Sequence, residues 1–212
     1  LTENHEELRG TFSFLDGKAS ATGRIDWAEA FPFYLAVKLD QAPIELLLST
    51  LRPQGIQDLV LALTGHLSME GRLRSLGETQ MALDVQDLQA SYKGYSFQSD
   101  GPFQATYREG DLRSDAIRLK GEGTTLTLVG GMAPFKQYSL FVTGEADLRL
   151  LTLMTQKMDF SKGKAYLALM VSGPWENPAV QGGLTIREGT FRSARLKQGV
   201  DGAELTFFFN GK

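Results

Sequence analysis

The chain of 212 residues contains no cysteine and only two histidines, and its 25 acidic residues nearly balance its 22 basic ones. Without cysteine there is no disulfide framework, no thiolate metal ligand and no thiol nucleophile. A nearly neutral chain also lacks the basic stripe of nucleic-acid-binding proteins. No apolar run approaches the ~18 residues that a membrane-spanning helix needs. We therefore expect neither a nucleic-acid partner nor a disulfide-rich domain.

The motifs of common catalytic and metal sites are missing as well. No serine lies in a G-x-S-x-G elbow, and the glycine-rich stretch 121–131, GEGTTLTLVGG, lacks the Lys-Ser/Thr ending of a P-loop. His66 and Glu70 are close in the sequence, but two candidate ligands are too few for a metal site. The carboxylates are scattered, as on the polar face of a sheet. We therefore expect a protein that is not an enzyme and that holds no metal and no cofactor.

Alternating polarity is what the chain has in abundance. Met81, Leu83 and Val85 alternate with Ala82 and Asp84, which is the period of a β-strand with one apolar side. The 23 glycines recur between such segments and mark turns. The pattern predicts a mainly β protein whose antiparallel sheet has one wet side. The same alternation occurs in the stretches Phe103–Tyr107, Thr125–Leu128, Leu184–Arg187 and Leu205–Phe209.

Two segments have helical spacing instead. The first, APIELLLSTLRP at 42–53, places leucines on one stripe, with Pro43 suited to a first helical turn. The second, GEADLRLLTLM at 144–154, has a leucine stripe that starts at Leu148, with Asp147 as its N-cap. We predict two short helices, which must dock on apolar surface because helices of two or three turns are not stable alone.

The two helices lie in similar surroundings of strand, short helix, strand and glycine. Leu35 and Val37 before the first helix match Leu140 and Val142 before the second, at an offset of about 105 residues. We predict a weak internal repeat with halves at about 21–120 and 121–208, although any β-rich chain aligns with itself to some degree. No linker is visible, so we expect one continuous β-rich segment over residues 1–212. Because the chain begins at Leu1 and not at Met, we expect it to be an internal piece of a longer protein.

One stretch carries a family resemblance, LALMVSGPWENPAVQGGLTIREGTFR at 167–192. It resembles the repeating element of the TamB/AsmA-like envelope proteins, which are similar to bridge-like lipid transfer proteins. The strand followed by a leucine-rich helix at 31–51 is similar to the same family, and the resemblance extends over about Ala21 to Phe208. The residues in matching places are Val171, Gly173, Pro178, Val180, Gly183, Leu184, Ile186, Gly189 and Phe191.

The resemblance implies a fold, a location and partners. Family members are anchored in the inner membrane of Gram-negative bacteria and reach across the periplasm. Their elongated antiparallel sheet curls into a taco-like groove with an apolar lining, which is thought to move phospholipid between the inner and outer membranes. The implied partners are phospholipid acyl chains and, through the parent chain, an Omp85-type outer-membrane protein.

An alternating sheet of this kind supplies candidate lining residues for such a groove. The same residues would serve equally well in a closed core, so both interpretations stay open. A structural or chaperone-like β scaffold that pairs with outer-membrane strands is the alternative function. The candidate lining residues are Leu83, Val85, Phe97, Phe103, Leu126, Leu128, Phe141, Leu169, Leu184 and Ile186.

Overall fold

The computed structural model of the chain describes residues 7–27, 30–44, 59–133, 136–150, 158–174, 176–193 and 199–211. These residues form thirteen strands in one sheet. A single short 3-10 turn, Leu76–Glu78, interrupts the strands of this described part. In chain order the strands are β1 (Glu7–Phe14), β2 (Ala19–Asp26), β3 (Pro32–Pro43), β4 (Leu59–Arg72), β5 (Gln80–Tyr92), β6 (Tyr95–Ser99), β7 (Phe103–Arg108), β8 (Asp111–Gly121), β9 (Thr124–Ala133), β10 (Gln137–Asp147), β11 (Met158–Pro174), β12 (Ala179–Ser193) and β13 (Val200–Asn210).

The strands pair in a nearly sequential order. The order is β1-β2-β3-β4-β5-β6-β8-β9-β10-β11-β12-β13, while β7 pairs with β5 and β8. The registers between neighbours are antiparallel, as in β1–β2, β9–β10 and β12–β13. The predicted fold class, a mainly β antiparallel sheet, is thereby confirmed.

Tight two-residue turns connect several neighbours. Lys93-Gly94, Glu109-Gly110 and Glu122-Gly123 each have positive φ at both positions, for example 39° at Glu122 and 78° at Gly123. Two central residues with positive φ are typical of type I′ turns, whose twist matches that of the flanking strands. These three dipeptides therefore make β6, β8 and β9 follow directly on the strands before them.

The chain divides into two compact units. Unit 1 comprises Leu1–Ala90 and Gly101–Asp115, and unit 2 comprises Ser91–Asp100 and Ala116–Lys212. In unit 1 the core packs Val37 and Leu39 of β3 against alanines of β2, Leu63 of β4 and Val85 of β5. In unit 2 the buried cluster is smaller and consists of Leu148, Ala165 and Ile186. The repeat with halves at 21–120 and 121–208 stays a prediction.

Of the two stretches predicted to be helical, residues 45–53 of the first and 151–154 of the second lie outside the described part. The predicted start of the first helix is wrong, because Pro43 ends β3 and pairs with Ala62 of β4. At the second site Arg149 and Leu150 have helical backbone. The backbone N–H of Arg149 donates to Asp147 Oδ1 at 2.9 Å, which is the hydrogen bond of an N-cap.

Candidate functional site

Strand register in unit 2 collects apolar side chains on one side of the sheet. Directly opposed residues of an antiparallel pair point to the same face, and successive residues of one strand alternate. Val142 of β10 lies opposite Leu128 of β9 and Leu169 of β11, and Leu184 of β12 lies opposite Leu167 and Phe207. We call this side the apolar face of unit 2; it contains Leu126, Leu128, Met132, Leu140, Val142, Leu167, Leu169, Val171, Val180, Leu184, Ile186, Leu205, Phe207 and Phe209.

No charged side chain lies on this face where β9 to β13 pair regularly. The charges of the same strands point the other way. Glu145 accepts a hydrogen bond from Lys164 at 2.7 Å, and Arg187 lies 5.2 Å from the ring of Tyr166. These charged residues are next in sequence to residues of the apolar face and therefore lie on the opposite side of the sheet. The alternation in the sequence thus separates a charged face from an apolar one.

Most of the apolar face is half-buried, and its edge strand is exposed. The side chains of Leu128, Val142 and Leu169 are each half-buried. Phe207 and Phe209 on β13 expose 47% and 42% of their surface. A closed core buries its large side chains almost completely, whereas here full burial is confined to one end of the face. The middle of the apolar face is therefore open to solvent.

Unit 1 has a corresponding uncharged face, whose central side chains are buried and whose side chains near β1 are exposed. Leu35 lies opposite Gly23 and Met69, and Val37, Leu39 and Leu63 around the centre are buried. Towards β1 the face opens into an apolar cleft of about 370 Å³. Its main apolar lining residues are Leu8, Phe12, Ile25, Phe33, Leu35 and Leu73.

The predicted lining residues divide between the two units. Val85 is part of the buried core of unit 1, with Leu83 and Phe103 packed against it. Phe97 is half-buried on β6 of unit 2, on the same side of that strand as Ser99, which pairs with Leu119. The remaining members except Phe141 share the apolar face of unit 2; they are Leu126, Leu128, Leu169, Leu184 and Ile186.

Phe141 lies on the opposite face. It pairs with Val129 and Met170, and 47% of its surface is exposed. Its neighbours Leu140 and Val142 point to the apolar face instead. The three adjacent apolar residues hide the alternation, but Ser139, Thr143 and Glu145 are in phase with Phe141 and mark its side of β10 as the polar one.

The perturbed ionisable groups of the described chain are surface ion pairs. The guanidinium of Arg149 binds both carboxylate oxygens of Asp147 at 2.9 Å and holds the pKa of that carboxyl below its usual value. The hydrogen bond to Glu145 raises the pKa of Lys164. In each case the shift has a partner that favours the charged form, so these groups stay charged at neutral pH and are not poised to transfer a proton.

His66 and Glu70 are exposed residues of β4. Across the described residues, no three His, Asp or Glu side chains come together as metal ligands. No helix within these same ranges is long and apolar enough to cross a membrane.

Comparison of the chain with family models, with curated proteins and with solved structures returned no match. The class that the fold defines is thus a mainly antiparallel β protein with an uncharged, partly open face in each compact unit. Its function has to be argued from that face.

Proposed function

We propose that the chain is a segment of a periplasm-spanning envelope protein whose apolar face binds acyl chains and helps phospholipid to move between the inner and outer membranes. The observation that carries the proposal is the apolar face of unit 2, which is uncharged across five strands and open in its middle. The resemblance of 167–192 to the TamB/AsmA-like repeat supports the location and the parent's anchor in the inner membrane. The same resemblance supports an Omp85-type partner for the parent.

The chemistry of the face favours acyl chains over polar ligands. Each methylene that leaves water for an apolar surface contributes about 0.8 kcal/mol, and a polar group placed there would lose its hydrogen bonds to water. The face offers leucine, valine and phenylalanine with no charged anchor. A phospholipid would therefore lay its acyl chain on the face and keep its headgroup in water.

Such binding is passive and repetitive. Neighbouring rows of the face offer similar side chains, so a bound acyl chain finds similar energy at each step and slides without a specific anchor. Direction must then come from supply and removal of lipid at the two ends of the parent protein. Passive binding of this kind requires no residue of the segment to perform chemistry.

The first test is mass spectrometry of organic-solvent extracts of the purified protein, compared with a mock purification. We expect phospholipid in near-stoichiometric amount. Val142→Asp places a charge in the middle of the face and should reduce the bound lipid at least tenfold, because the carboxylate must be desolvated when a chain lies over it. Phe141→Asp introduces the same charge one residue away on the opposite face and should leave the lipid content unchanged.

The outcomes separate the proposal from a closed core. A clean extract from folded wild-type protein that also takes up no phospholipid from vesicles would contradict lipid binding. Equal loss of lipid in the two aspartate variants would show that the apolar face of unit 2 is not the binding surface. Circular dichroism on both variants checks that they are folded.

The edge strand β13 favours a second candidate, the scaffold that pairs with β-strands. The sheet order ends at β13, and the stretch Leu205–Phe209 has neither charge nor proline, the usual protections of an edge. Phe208 exposes 84% of its surface there. Binding of extended outer-membrane-strand peptides by protein that carries no lipid would favour this candidate over lipid transport.

A further inference from the structure

Burial changes along the apolar face of unit 2 in one direction. The row formed by Val142, Leu169 and Phe209 is half-buried or exposed. Four residues further along β10, the row formed by Ala146, Ala165 and Ile186 is almost completely buried, with exposed fractions of 7%, 0% and 1%. The face is therefore open in its middle and closed at the end where β10 stops.

Leu148 occupies that closed end. Its side chain is completely buried and packs with Ala165 and Ile186, with Leu184 and Leu205 against the cluster. Leu148 follows Ala146 by two residues, and its backbone N–H donates to the carbonyl of Gly163 at 3.1 Å. A large aliphatic side chain thus lies across the last row of the face.

Two glycines make the space for Leu148. A Cβ atom at Gly163 would lie 2.8 Å from Leu148 Cδ1, and one at Gly189 would lie 3.4 Å from the same atom. Gly163 belongs to β11 and Gly189 to β12, so the two strands form a socket that larger residues would fill. The ion pair between Asp147 and Arg149 holds the backbone on both sides of Leu148. Leu148 is consequently a fixed part of the face and not a loosely placed side chain.

The open part of the face has the length of one acyl chain. From Tyr138 to Gly144 the strand rises about 20 Å at ~3.4 Å per residue. One leaflet of the hydrocarbon core of a membrane is about 15 Å thick, half of the ~30 Å total. A single acyl chain laid along the strands fits before it meets the closed row.

We propose that Leu148 is a chain-length stop, which ends the acyl-binding strip of unit 2 and so sets the longest acyl chain that this strip accommodates in full. The proposal rests on the proposed function, because it assumes that the open rows hold an acyl chain. It adds a specificity-determining residue to a surface whose other members are interchangeable. The methyl end of the chain would point towards Leu148, and the headgroup would lie at the open end near Tyr138.

The test uses the whole chain and a series of saturated fatty acids from octanoate to behenate, which displace a fluorescent apolar probe. For wild type we expect the dissociation constant to fall about fourfold per added methylene until the strip is full, and then to level off. Leu148→Ala removes three carbon atoms from the stop. The levelling point should move to chains longer by about three methylenes.

Two further variants keep the test decisive. Val142→Phe fills the middle row between Leu128 and Leu169 and should move the levelling point to shorter chains. Leu63→Ala is the matched control, since it truncates a buried leucine in the core of unit 1 and should leave the levelling point where it is. Circular dichroism and thermal melting show which variants are folded.

Each outcome decides the matter. Longer chains accommodated by Leu148→Ala but not by Leu63→Ala support the stop. If Leu148→Ala does not fold, the smaller truncation Leu148→Val takes its place, and a levelling point moved to longer chains supports the stop while an unchanged one overturns it. An unchanged levelling point in folded Leu148→Ala overturns the stop but leaves acyl binding standing. If folded wild type binds no fatty acid of any length, the proposed function and the stop are both overturned.

Discussion

Two adjacent glycines of β12 allow the backbone geometry of the apolar face to be tested directly. Gly182 has φ +126°, and a Cβ atom there would overlap the carbonyl oxygen of Ala168 and lie 3.0 Å from Leu169 Cα. Gly183 has no such φ, and the atoms nearest to its Cβ would be Phe207 O and ring atoms of Phe208 at 3.8 Å. Alanine at the first position must therefore push β11 and β12 apart, whereas at the second it makes ordinary contacts.

The two substitutions should change the free energy of unfolding in opposite directions. An L-residue held in a conformation that only glycine adopts readily costs about 1–3 kcal/mol, and the overlap with the backbone of β11 adds to this. Gly182→Ala should therefore lower the free energy of unfolding by about 2–4 kcal/mol. Gly183→Ala should raise it by about 0.4–1 kcal/mol, because alanine reduces the entropy of the unfolded chain without strain in the folded one.

Urea unfolding followed by circular dichroism measures the difference. Since 1 kcal/mol shifts the melting temperature of a chain of this size by about 2–4 °C, Gly182→Ala should melt about 5–20 °C below Gly183→Ala. Equal stabilities of the two variants would refute the assigned backbone conformation at Gly182. Gly130 and Gly144 have similar geometry, with φ +132° and +140°, so alanine there should behave like alanine at Gly182.

Two further predictions concern charge. The pKa of Asp147 is lower in the folded state than in the unfolded state, chiefly because of its hydrogen bond with Arg149. The ionised carboxylate therefore stabilises the fold above the unfolded pKa of ~3.9. This stabilisation is lost as the pH falls through the lower folded pKa. In urea titrations at a series of pH values, Asp147→Asn should have a lower free energy of unfolding than wild type at pH 7 and the same free energy at the most acidic pH. A difference that grows as the pH falls would contradict the lowered pKa of Asp147. Phe208→Lys adds a charge to the exposed edge strand β13, and a charged edge resists pairing with a second copy of the chain. The substitution should therefore reduce self-association in analytical ultracentrifugation and change the free energy of unfolding by less than about 0.5 kcal/mol. Unchanged self-association would show that copies of the chain do not pair through this edge.

The residues that were predictable are those whose strands alternate cleanly. Leu126 and Leu128, separated by Thr127, and Leu184 and Ile186, separated by Thr185, were assigned together from the sequence and do share a face. Within one strand the side-chain period of two is a property of the backbone. No knowledge of neighbouring strands is needed for such an assignment.

Where local patterns compete, the sequence was insufficient. Phe141 was selected as a lining residue, yet its pairing with Val129 and Met170 places it on the other face. Pro43 suited a helix start, but its pairing with Ala62 at the end of β3 makes it part of a strand. For Pro43, a partner distant in the sequence decided between a helix and a strand. For Phe141, the polar residues Ser139, Thr143 and Glu145 in the same phase of β10 already indicated the other face.

The amino-acid sequence by itself determined that this protein is mainly β and antiparallel and that one side of its regularly alternating stretches is apolar, because both follow from alternation within single strands. Only the tertiary structure decided which side chains meet across strands, since the register between strands depends on pairs of residues far apart in the chain. It also decided that the apolar face of unit 2 is open in the middle and buried at the end where Leu148 packs with Ala165 and Ile186. The space for Leu148 is left by Gly163 and Gly189 on two other strands. Because glycine has no side chain, these two positions produce no polarity pattern from which the packing of Leu148 could be predicted.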